Sequence, residues 1–177
     1  MKRIVGALVG AIAAWSFGVG LIAAPAAAQE ATNKIKMNLT TGEVVIELLP
    51  DIAPKHVARV QQLVKDDFYD GIVFHRVIPN FMAQSGDPTG TGTGGSKYGD
   101  LPAEFTNERG FKEGTVGAAR TNDPNSANSQ FFICHTDQSC RHLNGQYTIW
   151  GQVVSGMDAL NKVGGPGDKI QSVEFVK

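Results

Sequence analysis

Hydrophobic and polar residues alternate strictly from Lys34 to Thr40, with Ile35, Met37 and Leu39 on one face and Lys34, Lys36 and Asn38 on the other. That two-residue period predicts a half-buried strand. Thr41-Gly42 marks a turn, and Glu43 to Leu49 alternates again with Val44, Ile46 and Leu48 inward, so the two strands form a hairpin. Pro50 ends the second strand, and Pro54 suits the first turn of a helix. The period then changes: Val57, Val60 and Val64 recur at helical spacing, while Lys55, Arg59, Gln61 and Lys65 face out.

After the Asp70-Gly71 turn the apolar segments are short: Ile72–Phe74, Phe81–Ala83, Thr115–Ala119, Gln130–Cys134 and Thr148–Val154. Each is bounded by Gly, Pro, Asn or Asp, as in closed antiparallel sheets. Ser155-Gly156-Met157-Asp158 reads as a capping box opening a second helix, with Met157, Leu160 and Val163 as its buried face. Gly164-Gly165-Pro166 stops that helix, and Lys169 to Val176 is a closing strand. The pattern predicts an all-β domain with two helices. It does not separate a barrel from a sandwich.

The first 28 residues follow another logic. Lys2 and Arg3 precede a long apolar stretch, and Ala26-Ala27-Ala28 stands before Gln29-Glu30. A basic start, an apolar middle and a small-residue end predict a cleavable secretory signal peptide over 1–28, leaving 29–177 as one domain. The rival reading is an uncleaved membrane anchor, since the stretch is nearly long enough to span a bilayer. The well-formed cleavage site favours removal, after which no stable membrane insertion is expected. The 42% apolar content and 21 glycines suit a loop-rich globule. A net charge of −1 without any Lys/Arg cluster past the leader gives no electrostatic footprint for nucleic acid.

Several segments carry candidate chemistry. Gly90-Thr-Gly-Thr-Gly-Gly95 satisfies G-x-G-x-x-G, but Asp87-Pro88 precedes it and poor helix material follows, so it is a loop and no dinucleotide cofactor is expected. Cys134, His135, Cys140 and His142 crowd together. Their spacing is unlike a metal motif, so a disulfide and two free thiols stand as equal readings with a metal site well behind. No nucleophile triad order and no paired carboxylates are recognisable. More specific is Phe74-His75-Arg76-Val77-Ile78-Pro79-Asn80-Phe81-Met82-Ala83-Gln84-Ser85-Gly86-Asp87, where Met82 and Gln84 share a face if the chain is extended. Asn128 to Cys134 then supplies a second aromatic strand.

Together with Arg120-Thr121-Asn122-Asp123-Pro124, these segments closely resemble the cyclophilin family of peptidyl-prolyl isomerases, in its bacterial exported branch. The resemblance runs from about Lys34 to Val176. It implies an eight-stranded antiparallel closed barrel capped by two α-helices, acting on proline-containing unfolded or partly folded polypeptides in the periplasm. Bond rotation needs no cofactor or metal, and a small domain without an obvious apolar patch is expected to be a monomer. Position by position, Arg76 matches the catalytic Arg, and Gln84 the side chain that holds the substrate backbone. Phe81, Met82, Phe132 and Leu143 match the proline pocket, and Thr121 and Asn122 a segment whose main chain pairs with the peptide. Tyr147 falls where many relatives place His, and His142 where many place Trp, a position that matters for binding cyclosporin. Ala119 replaces a common Met and reads as a change within the core. A chaperone that binds proline segments with weak catalysis is the alternative function.

Overall fold

The computed structural model describes residues 33–176, so the leader expected over 1–28 lies outside the described residues. Strands β1 (Lys34–Leu39) and β2 (Gly42–Leu48) form the expected hairpin, in register from Lys34↔Glu47 to Leu39↔Gly42. Helix α1 (Pro54–Lys65) carries Pro at its start and buries Val57, Val60, Leu63 and Val64. Its N-cap, Ala53, has no capping side chain. The Glu104 carboxylate instead accepts the backbone N–H groups of Lys55 and His56 at 3.0 Å each, filling the role of a cap from a distant loop.

Strands β3 (Arg76–Ile78), β4 (Met82–Ser85), β5 (Thr115–Ala118), β6 (Phe131–Cys134), β7 (Ile149–Ser155) and β8 (Ile170–Phe175) complete one antiparallel sheet, ordered β3-β4-β6-β5-β7-β2-β1-β8. The sheet curls into a half-barrel whose edges, β3 and β8, share no continuous ladder. Across the gap stand one bridge, Val73↔Lys169, and hydrogen bonds from Phe74 N–H to Asp168 O and from Ile170 N–H to Ile72 O. The fully closed barrel is therefore met only in part. Ile72–Phe74, expected as a strand, serves this seam alone, because from Arg76 onward the chain pairs with β4.

The second helix, α2 (Met157–Leu160), is a single turn, so the two-helix cap is also only partly realised. Ser155 is not its cap but the last residue of β7. The N-cap is Gly156 at φ +91°, where a Cβ would collide with the Glu43 carbonyl, so only glycine suits this corner.

Two apolar clusters lie on opposite faces of the sheet. The larger fills its concave side with Ile35, Val44, Ile46, Phe131, Ile133 and Trp150, under α1. The smaller gathers Met82, Phe111, Phe132, Cys134, Cys140 and Ile149 on the other face. Strands β4 and β6 are covered on both sides, which is why β6 reads as an unbroken apolar run while β1 and β2 alternate.

Candidate active site on the outer face of the sheet

Residues directly opposed in an antiparallel ladder point to the same face. Arg76 on edge strand β3 opposes Gln84 on β4, Gln84 opposes Phe132 on β6, and Phe132 opposes Gly117 on β5. Arg76, Gln84 and Phe132 thus stand in one row, beside a second row of Ile78, Met82 and Cys134. Gly117 lets the Phe132 ring lie over β5, since a Cβ there would stand 2.5 Å from Phe132 Cζ and 2.8 Å from Phe111 Cε1. Phe111 stacks on Phe132 with ring centroids 5.5 Å apart and makes the floor rigid.

The far wall comes from the loop after β6. Cys134 and Cys140 form a disulfide with Cα atoms 6.1 Å apart, so of the readings open for these residues the disulfide is the one realised. Neither sulfur is left for a metal, and His135 turns away to Asn161 Oδ1 at 2.8 Å. Cys140 leads directly into a 3-10 turn, Arg141–Leu143. The bridge thereby carries His142 and Leu143 over the sheet, with the His142 ring 5.4 Å from that of Phe81.

The result is a pocket of about 330 Å³ lined by Arg76, Phe81, Met82, Gln84, Phe132, His142, Leu143 and Tyr147, eight of the expected site residues. Thr121 lies outside it and lines an adjoining groove of about 470 Å³. Asn122 lines neither hollow and is exposed. The Thr121 main chain is also engaged internally: its N–H donates to Ser126 Oγ at 2.9 Å, and its carbonyl accepts from Arg120 at 2.8 Å. Ala119 is half-buried and packs against the smaller apolar cluster, as a change within the core would have it, and it also lines both hollows.

Arg76 is exposed rather than buried. Its placement comes from a relay. Arg76 Nη1 donates to Gln84 Oε1 at 3.3 Å, Gln84 Nε2 to Gln130 Oε1 at 2.9 Å, and Gln130 Nε2 to the carbonyls of Gly92 and Gly94 at 3.0 and 2.8 Å. The glycine loop is wound around Asp87, whose carboxylate accepts the backbone N–H groups of Thr89, Thr91, Gly92 and Gly94. Burial pushes the Asp87 carboxyl up, but hydrogen bonds from Thr89, Gly94 and Gly92 outweigh it and hold the group well below the usual carboxylate range. The N–H groups that would bind a phosphate are engaged by a carboxylate of the chain itself.

The profile of the cyclophilin type peptidyl-prolyl cis-trans isomerase family matches residues 34–174. The chain belongs to the cyclophilin family. A probable peptidyl-prolyl cis-trans isomerase of Brucella suis is 52% identical over 149 residues, covering 78% of this chain and 74% of that protein. The isomerase of Synechococcus elongatus is 42% identical over 76% of this chain and 90% of its own length. Among solved structures, a Cryptosporidium parvum cyclophilin type isomerase crystallised in the presence of the dipeptide Ala-Pro superposes with a TM-score of 0.74. It is 30% identical and covers 81% of this chain and 99% of its own. The cyclophilin AquaCyp293 of Hirschia baltica gives 0.71 at 29% identity, over 83% of this chain and 75% of its own. The chain is accordingly an enzyme of the cyclophilin peptidyl-prolyl isomerase family.

Sequence reasoning missed four residues of this candidate site: Phe111 under the floor, Gln130 in the relay, and Ala119 and Arg120, which line both hollows. Gln130 stands two residues before Phe132, so the strand period could have placed it on the same face. No periodic signal marks Phe111 or Arg120.

Proposed function

We propose that this cyclophilin catalyses rotation of Xaa–Pro bonds with the proline ring in the pocket of Phe81, Met82, Phe132 and Leu143, and with Arg76 donating to the prolyl nitrogen. The amide resists rotation through its partial double bond, with a barrier of about 18–20 kcal/mol. Reaching about a thousand turnovers per second from an exchange of roughly a hundred seconds requires removal of on the order of 7 kcal/mol. No bond breaks and no proton leaves. In the twisted state the prolyl nitrogen regains its lone pair, and a guanidinium beside it favours that state over the planar one.

The observation that carries this reading is the row Arg76–Gln84–Phe132, which sets a fixed donor pair along the edge of an apolar floor. Gln84 holds the substrate backbone on one side of the amide while the other side rotates. The rim carries His142 and Tyr147.

The substrates are proline-containing segments of unfolded or partly folded exported polypeptides, and the site of action is the periplasm. The leader pattern over residues 1–28 supports export, and the Cys134–Cys140 disulfide suits an oxidising compartment. A monomer suits the surface, where the exposed large apolar side chains among the described residues are Phe105 and Val154. The test is a proline-peptide isomerisation assay of the protein beside Arg76→Ala. The expected result is a large loss of kcat with KM modestly changed. Equal rates, with both proteins folded by circular dichroism, refute the role of Arg76; substrate capture without turnover by the unmodified protein would favour a binding chaperone.

A further inference from the structure

The two hollows on this face have an unbalanced charge. Arg76, Arg120 and His142 line the proline pocket, and among the described residues no carboxylate does. Among the described residues the carboxylate lining the adjoining groove is that of Asp100, and it is held by Asn128 Nδ2 at 3.0 Å. Arg120 lines both hollows, as do Gln84 and Ala119.

The Arg120 guanidinium is fixed without being neutralised. Its Nε and Nη2 donate to the Gln146 carbonyl at 3.3 and 3.0 Å, and its Nη1 donates to the Thr121 carbonyl at 2.8 Å. It lies 4.3 Å from the centroid of the Tyr147 ring and 6.0 Å from that of Phe105. Carbonyls and ring faces orient a cation but leave its charge in place. Among the described residues no carboxylate pairs with it. A guanidinium carries five N–H donors, so Nη2 keeps one beyond its bond to Gln146, and a carboxylate is the acceptor that best matches such a fork.

We propose that Arg120 gives this cyclophilin a preference for acidic residues beside the substrate proline. A Glu or Asp side chain within two residues of the proline pairs with Arg120 while the ring fills the pocket. The proposal rests on the isomerase reading of that pocket. A purely structural role, in which Arg120 ties the loop before Tyr147 to the segment after β5, would lower turnover of all substrates alike. Recognition of an acidic side chain lowers it according to charge.

The experiment measures kcat/KM for three sets of proline peptides, with Glu, Gln or Lys two residues before, immediately before or immediately after the proline. The proteins are the unmodified enzyme and the variants Arg120→Lys, Arg120→Gln and Arg120→Met. At low salt the unmodified enzyme should favour Glu over Lys by about fivefold at one position, from the usual strength of a partly exposed ion pair counted once for gain and once for repulsion. Arg120→Lys should keep most of that ratio, and either neutral variant should bring it below about twofold. About 1 M salt should abolish it, since screening then acts within roughly 3 Å. A ratio near one at every position, or one unchanged in a folded neutral variant, overturns the proposal. An unmodified enzyme inactive even on the Gln peptides would instead overturn the isomerase reading.

Discussion

Replacing Asp87 by Asn removes one oxygen and the charge from the centre of the glycine loop while leaving volume almost unchanged. In the native chain Oδ1 accepts the Thr89 N–H and hydroxyl at 2.8 Å each, and Oδ2 accepts the N–H groups of Thr91, Gly92 and Gly94 at 3.1, 2.6 and 3.1 Å. An amide keeps its oxygen toward the three-donor side and turns its NH₂ to Thr89, where the hydroxyl can rotate to accept. One charge-assisted bond is then lost and the other four become neutral. Bonds to charged groups are worth about 1.5–3 kcal/mol and neutral ones about 1, so even the low end of that range puts the cost at roughly 3.5 kcal/mol at pH 7. Urea unfolding at fixed disulfide state, followed by fluorescence of the buried Trp150, measures it. The pH dependence has a definite sign. The Asp87 carboxyl sits below its ordinary value of 3.8 in the folded chain, so its stabilisation is fully present above that value. The gap between the native protein and Asp87→Asn should be flat from pH 8 to 5 and narrow by about 1.4 kcal/mol per unit below pH 4. A gap under about 1 kcal/mol at pH 7, or one that persists unchanged to pH 2.5, would refute an ionised anchor. Because Gln130 holds the carbonyls of Gly92 and Gly94, kcat/KM should fall as well.

Gly117→Ala should displace the Phe132 and Phe111 rings, at about 1–3 kcal/mol of overpacking, and raise KM for proline peptides; an unaltered KM would contradict the floor assigned to Phe132. Reducing the Cys134–Cys140 bridge, which spans a sequence separation of 6, should cost about 2 kcal/mol in urea unfolding and raise KM by freeing the turn that carries His142 and Leu143. Equal midpoints with and without reductant would show that the turn holds itself.

Legibility along the chain tracked how many faces of a strand are covered. Strands β1 and β2 have one wet face, so Ile35, Met37, Val44 and Ile46 announced themselves by alternation. Strand β6 has none, and Phe131 to Cys134 carries no period to say that Phe132 faces the pocket while Phe131 and Ile133 face the core. The shared face of Met82 and Gln84 was readable from spacing alone. The opposition of Arg76 to Gln84 was not, because register depends on the Ile78–Met82 turn. Phe81, Leu143 and Tyr147 came from resemblance. The anchors came from neither source: Glu104 caps α1 from 48 residues away, and Gln130 reaches Gln84 across 46. Nor did the pattern show that the seam would be a single bridge, since Val73 and Lys169 are joined only by tertiary folding.

The pairing of β1 with β8 imposes an order of events on synthesis. The β1–β2 hairpin needs only residues 34–48, yet the outer edge of β1 is filled by residues 170–175. Until those emerge, β1 is an open edge with an apolar face, the kind of surface on which a second nascent copy could add. Lys36 stands on that edge and discourages such addition while the edge is bare. In the finished sheet its ammonium lies 2.7 Å from Glu174 of the arriving strand. The same side chain thus guards the unfinished edge and then helps receive the strand that belongs there.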